Sequence, residues 1–332
     1  MIEGKKSALI LTLKILKEYS DENHYLTQQD IISKMIELYG VELERKTISS
    51  TINLLIELDY DIYKSPKGGY CLLSRVFDNS QISFLIDAIF SSKAIPGKES
   101  KEMINKLSSF LSVYNRKNYD YLYKSIEINR TSNREVFYNI DIINEAIQKG
   151  KKISFQYEGY DEKGKKIMRM NGYRFRVSPY YLVNNFGKYY CLSYYRYNDL
   201  STFRIDLMYN IKILEDRDIV PIIETPGNEN GLDIVKYINE NVYLFGGEVI
   251  AVELVVKEAN SLIYIYEWFG NNVEVYIEAD KLKLKVVCNK RAFYYWIMQY
   301  NNQFEVVSPQ EVIDMIVNTV NELIKTYEIK VN

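Results

Sequence analysis

The chain has 332 residues, more than one domain usually holds, and its 47% hydrophobic and 26% charged composition excludes intrinsic disorder and fibrous repeats. No apolar run is long enough to span a bilayer, and the first residues are broken by Lys14, Lys17 and Glu18, so a membrane or exported protein is not expected. Cys71, Cys191 and Cys288 are odd in number and far apart, which excludes a disulfide framework and a CxxC ligand pair and fits a reducing cytoplasm.

The net charge of -2 conceals a strong segregation. Residues 1–75 carry -1 and residues 76–150 carry +1, whereas 151–213 hold 12 basic against 5 acidic residues and 214–332 hold 10 against 19. A middle segment of +7 therefore precedes a tail of -9.

From the start of the chain, Leu9, Leu13 and Leu16 fall at helical spacing, as do Ile31, Met35 and Leu38. Thr27 and Asp30 form a capping pair that fixes where the second helix begins. After Gly40, residues 44–60 form a third helix with Ile48, Ile52 and Leu55 inward. Lys46, Ser50 and Asn53 then face outward, with Ser49 beside them and Arg45 at the start. Hydroxyls and amides reach base edges, and basic side chains meet phosphates.

Next comes a hairpin tipped by Ser65-Pro66-Lys67-Gly68-Gly69, with Lys64 and Lys67 offering charge to a phosphate. Three amphipathic helices and a hairpin also describe an ordinary small domain; helix order, turn length and the basic glycine tip favour a winged helix-turn-helix over residues 1–75 that contacts double-stranded DNA through Arg45, Lys46, Ser49, Ser50, Asn53, Lys64 and Lys67.

Residues 76–148 read as a helical linker, two helices parted by Pro96-Gly97, with Ile82, Leu85 and Ile89 as one apolar stripe. That stripe suits either docking between subunits or burial within the chain. From residue 149 to 220 the period shortens to β-rich runs separated by Gly, Asn and Asp, the pattern of a small barrel-like sheet. Tyr157, Tyr180, Tyr190 and Tyr195 are spread over its strands together with Arg196 and Arg204. Aromatic stacking and arginine hydrogen bonds hold single-stranded nucleic acid or nucleotides, although tyrosine is also simply a good strand residue. Residues 221–332 form an acidic α+β region ending in a helix from Pro309 to about Tyr327.

At this point the residues resemble a known family. The run Ser178–Met208 is similar to the WYL domain of bacterial regulators, with Tyr189-Tyr190-Cys191 in place of the Trp-Tyr-Leu triplet. Phe155–Glu158, Ser178-Pro179-Tyr180 and Phe203-Arg204-Ile205-Asp206 follow in the family's order. Phe293–Val312, with Trp296 and Val307-Ser308-Pro309, resembles the extension domain that follows WYL domains.

The resemblance implies an α+β multidomain chain with an Sm-like or SH3-like small β-barrel, in which Tyr157, Ser178, Tyr190 and Arg204, and after them Tyr180 and Arg196, hold a ligand. In some members that ligand is single-stranded DNA or a nucleotide. It also implies that Asp206 orients an arginine. Leu207 stands where the family carries a second arginine, which weakens phosphate binding there.

Nucleotide-binding loops, HExxH and GxSxG are all absent, and the only histidine, His24, falls in a predicted surface loop. No catalytic residue, metal site or cofactor is expected. The reading is a homodimeric, cytoplasmic, ligand-sensing regulator of transcription. An adaptor that docks a protein through the winged helix and senses nucleotide through the barrel stays open beside it.

Overall fold

A computed structural model describes residues 4–66, 68–119, 130–196, 200–270 and 272–327. The fold is mixed α+β and divides into two compact units, Met1–Arg134 and Glu135–Asn332.

The first unit opens with α1 (Gly4–Tyr19), α2 (Gln28–Tyr39) and α3 (Arg45–Glu57), followed by the hairpin β1 (Ile62–Lys64) and β2 (Tyr70–Leu72). Thr27 and Asp30 make a reciprocal capping box, so two amides that helix geometry leaves unpaired find partners. Gly40 ends α2 in the left-handed conformation, at φ +65°. On α3, Ile48, Ile52 and Leu55 are buried as expected, with Thr51 among them.

The other two stripes differ from expectation. In α1 the buried line runs through Ala8, Leu11, Ile15 and Leu16, leaving Leu9 and Leu13 at its margin. In α2 it holds Ile31, Ile32 and Met35, while Leu38 is exposed because the last turn runs past the core. A single bridging residue also joins the wing. Leu26 exchanges both backbone hydrogen bonds with Tyr70, at 2.9 and 2.8 Å.

α4 (Asn79–Ser91), α5 (Gly97–Ser108) and the short α6 (Val113–Arg116) follow in this unit. The α4 line is Ile82 and Ile86, not Leu85, which is exposed beside Phe84; helical spacing admits i+3 as readily as i+4, and packing against Ile104 of α5 selects Ile86. Arg130 gathers the carbonyls of Ile89, Phe90, Ser92 and Ile95 into one knot.

His24 is not a free surface residue. Its ring stacks on Tyr114 at 3.5 Å and its Nδ1 lies 2.6 Å from the buried Asp21, which also accepts from Ser112 Oγ at 2.6 Å. Burial opposes ionisation of Asp21, but the hydrogen bonds from Ser112, His24 and the Asn23 amide outweigh it and hold the carboxyl below its ordinary 3.8. A carboxyl depressed by folding stabilises the protein above its unfolded pKa and loses that contribution as pH falls through the folded value. Asp21→Asn should therefore destabilise at neutral pH and shrink the stability lost below about pH 4, as read from urea denaturation across that range.

The second unit begins with α7 (Val136–Lys149), which lies against the strands β3 (Lys151–Tyr160), β5 (Phe175–Asn185) and β8 (Met208–Asp218). The sheet also contains β4 (Lys166–Met168), β6 (Lys188–Tyr194) and β7 (Leu200–Arg204), and is antiparallel throughout. The strand order is β4-β3-β5-β6-β7, with β8 on β3. β7 and β8 are thus far apart in that order, yet one 3-10 turn, Ile205–Leu207, joins them. Only a sheet that curls on itself meets both conditions. Its interior holds Ile153, Phe155, Phe175, Val177 and Cys191, and Asn139 of α7 donates to the Met208 carbonyl at 2.9 Å.

The rest of this unit is α+β. A four-stranded sheet, β10 (Val273–Glu278), β11 (Lys281–Asn289), β9 (Val249–Val256) and β12 (Phe304–Ser308), packs with α9 (Leu262–Phe269), α10 (Lys290–Tyr300) and α11 (Gln310–Thr326). The short α8 (Ile234–Glu240) precedes it. Trp296 is fully buried at the centre, against Phe269, Phe293 and Phe304.

Candidate functional site

Two groups of side chains follow from this framework. On α3, burial of Ile48, Ile52 and Leu55 turns Lys46, Ser50 and Asn53 to solvent. Arg45 is exposed and donates to Gln29 Oε1 at 3.1 Å. Ser49 is half-buried and accepts from Gln28, so part of its hydrogen-bonding capacity fastens α2 to α3. Ser50 donates to the Thr47 carbonyl at 3.1 Å. Lys64 is exposed on β1, its ammonium 5.9 Å from the Tyr70 ring centre. Gly68 and Gly69 turn the hairpin at φ +92° and +94°, a region other residues rarely enter. Lys67 lies outside the described residues.

The second group lies where β3, β6 and β7 converge. Tyr157 Oη accepts the backbone N–H of Arg204 at 3.0 Å, and Tyr190 is the register partner of Arg204. The Arg204 guanidinium grips buried Asp206 with two bonds, Nε at 3.0 Å and Nη2 at 2.6 Å. Burial acts against the Arg204 charge, but the Asp206 pair outweighs it and raises the pKa. Burial pushes the Tyr157 phenol up to about 12 and raises that of Tyr190, so both remain neutral donors at physiological pH.

The six expected ligand residues do not form one cluster. Ser178 Oγ accepts the Val220 N–H at 3.0 Å, and Tyr180 Oη donates to the Val220 carbonyl at 2.6 Å. Both hydroxyls therefore fasten the chain that leaves the barrel. Ser178 pairs with Tyr194, four residues along β6 from Tyr190, or about 13 Å. Arg196 forms a separate group, donating to Tyr173 Oη at 2.6 Å with its guanidinium carbon 4.9 Å from the Tyr195 ring centre.

One residue at the main cluster escaped sequence reasoning. Arg169 places its guanidinium carbon 5.9 Å from the Tyr157 ring centre. An Asn-Gly pair such as Asn171-Gly172 favours a turn, but nothing in the spacing shows which ring that turn would face.

Nucleophilic chemistry finds no support in the thiols, since Cys191 and Cys288 are buried and their pKa values are pushed up to about 12. Among the described residues no cluster of His, Cys, Asp and Glu is placed to hold a metal ion, and no helix is long and apolar enough to cross a membrane.

No curated protein matches the chain. Among solved structures, proteasome accessory factor B/C (PafBC) of Arthrobacter aurescens is similar at 12% identity and a TM-score of 0.30; the match covers 92% of this chain and 46% of that one, so the chain spans under half of its length. A structure described as a CRISPR Cas-related protein is similar at 16% identity and a TM-score of 0.37, over 98% of this chain and 85% of that chain. The WYL family model matches residues 138–213, which run from α7 through the curled sheet and include Tyr157, Tyr190, Arg204 and Asp206. Residues 138–213 of the chain thus form a WYL domain.

Proposed function

We propose that this protein is a transcriptional regulator that binds duplex DNA through α3 and its wing, and that its WYL barrel senses a nucleotide or single-stranded nucleic acid. The observation that carries this reading is one chain holding both an outward polar helix face beside a glycine-tipped hairpin and a barrel with neutral tyrosines around an arginine. Tyrosine rings give bases a stacking surface, and arginine gives phosphate a charged donor. Residues 1–75 form the DNA-binding domain, 76–148 the linker, 149–220 the sensor and 221–332 the extension. Two copies place their α3 helices in successive major grooves, as a single winged helix offers few base contacts.

Within the barrel the reading assigns ligand contact to Tyr157, Tyr190 and Arg204, with Arg196 at a second position. Ser178 and Tyr180 support the wall behind them.

Selection of bound duplexes from random sequence tests the DNA half, with wild type and Lys46→Ala/Asn53→Ala compared on the best site. The double variant should bind at least about 100-fold more weakly while its circular dichroism is unchanged, since a phosphate contact and a base contact are both removed. Unchanged binding would remove the helix from the interface and favour the adaptor reading, and failure of every duplex to bind with salt sensitivity would overturn the regulator reading.

A further inference from the structure

We infer that Arg169, rather than Arg204, supplies the net positive charge with which the barrel anchors a phosphate group. The inference rests on the ligand reading just proposed and adds the residue that makes the site selective for anions. Arg204 cannot supply that charge by itself, because two hydrogen bonds join its guanidinium to buried Asp206 and the pair is neutral as a unit. Arg169 is exposed and makes no ion pair among the described residues, and its guanidinium carbon lies 5.9 Å from the centre of the Tyr157 ring, whose hydroxyl accepts the Arg204 backbone N–H.

The chain is built to put it there. The residues after Arg169 take left-handed backbone in succession, Met170 at φ +52°, Asn171 at +55° and Gly172 at +79°. Two of these are not glycine, and such conformations persist only where surrounding structure enforces them. Here Gln156 Nε2 donates to the Gly172 carbonyl at 3.0 Å and is itself fixed by Asn210, at 2.8 Å.

Gly159 completes the cradle. A Cβ at that position would lie 2.6 Å from Arg169 Cγ and 3.1 Å from its Cδ, so the arginine stem crosses the strand where a side chain is missing. Gly159 has no left-handed φ that would otherwise require glycine. Passage of the Arg169 stem therefore accounts for glycine at this position.

The phosphate can come from a free nucleotide or from a single strand. Titrations of the full-length protein with AMP, with a fluorescein-labelled ten-residue oligo(dT) and with thymidine separate these sources. They are run on wild type, Arg169→Ala and Gly159→Ala, with thermal melts to confirm folding. Both variants should lose at least about tenfold in affinity for whichever phosphate probe the wild type binds. If that probe is oligo(dT), the salt slope of Arg169→Ala should fall by about one phosphate contact. Any binding of thymidine should be unchanged. If wild type and Arg169→Ala bind the probe equally, the role of Arg169 is overturned while the ligand reading stands. If wild type binds neither phosphate probe, both are overturned.

Discussion

Arg204→Ala should lower the stability of the second unit by about 3 kcal/mol, apart from any loss of ligand. Asp206 is only 4% exposed and receives two guanidinium bonds, so the truncation leaves a carboxylate in a buried place without the cation that compensates it. Burying an ion is costly, and a pair broken from one side retains that cost without its attraction. Arg204→Ala/Asp206→Ala should recover part of the loss. A double-mutant cycle by urea denaturation should give a coupling of at least about 1 kcal/mol, and additive losses would show the pair to be energetically idle. The practical point concerns ligand assays: reduced binding by Arg204→Ala reports on folding as well as recognition, which Arg169→Ala separates.

Trp296→Ala should be more damaging still, at about 3–5 kcal/mol, with a fall in Tm of roughly 10 °C. The indole is fully buried and meets Phe269, Phe293, Phe304 and Tyr300 at ring distances between 5.0 and 5.8 Å, so its removal opens a cavity that α9, α10 and β12 cannot close together. Trp296→Phe is the informative companion. The indole Nε1 is buried with no hydrogen-bond partner among the described residues, so the smaller ring loses volume but also removes an unpaired donor. It should cost less than half as much. Equal losses would point to an unseen partner for the indole nitrogen.

Much of the architecture was legible because it depends on local periodicity and turn chemistry. The Thr27–Asp30 box, the α3 stripe and the β-rich runs from Lys151 onward are each set by neighbours a few residues away. Misplaced stripes arose where two sets of apolar residues satisfy one period. In α4, Ile82 and Ile86 face α5 while Phe84 and Leu85 face outward, a choice made by the partner helix rather than by α4. The pairing of Leu26 with Tyr70 links residues 44 apart, and a single bridging residue has no period to detect.

The site was legible in its chemistry and less so in its grouping. Tyr157 and Arg204 meet because β3 and β7 converge in a curled sheet, while Ser178 and Tyr180 turn to Val220 instead. Residue type pointed to all six, and only the strand order separates them. His24 lies in the expected loop with its side chain partly exposed, but its stacking partner Tyr114, 90 residues away on α6, left no local signal.

The hydrogen bond from Asn139 to the Met208 carbonyl gives the barrel a mechanical property. Arg204 ends β7, Met208 starts β8, and three residues of tight turn lie between them, with Asp206 at their centre. Slack is scarce over so short a span. Any displacement of Arg204 must either break its grip on Asp206 or drag the turn with it, and the turn is pinned one residue later to the buried Asn139 of α7. The helix by which the chain enters the barrel is therefore tied to the end of β7 through a linkage of four residues.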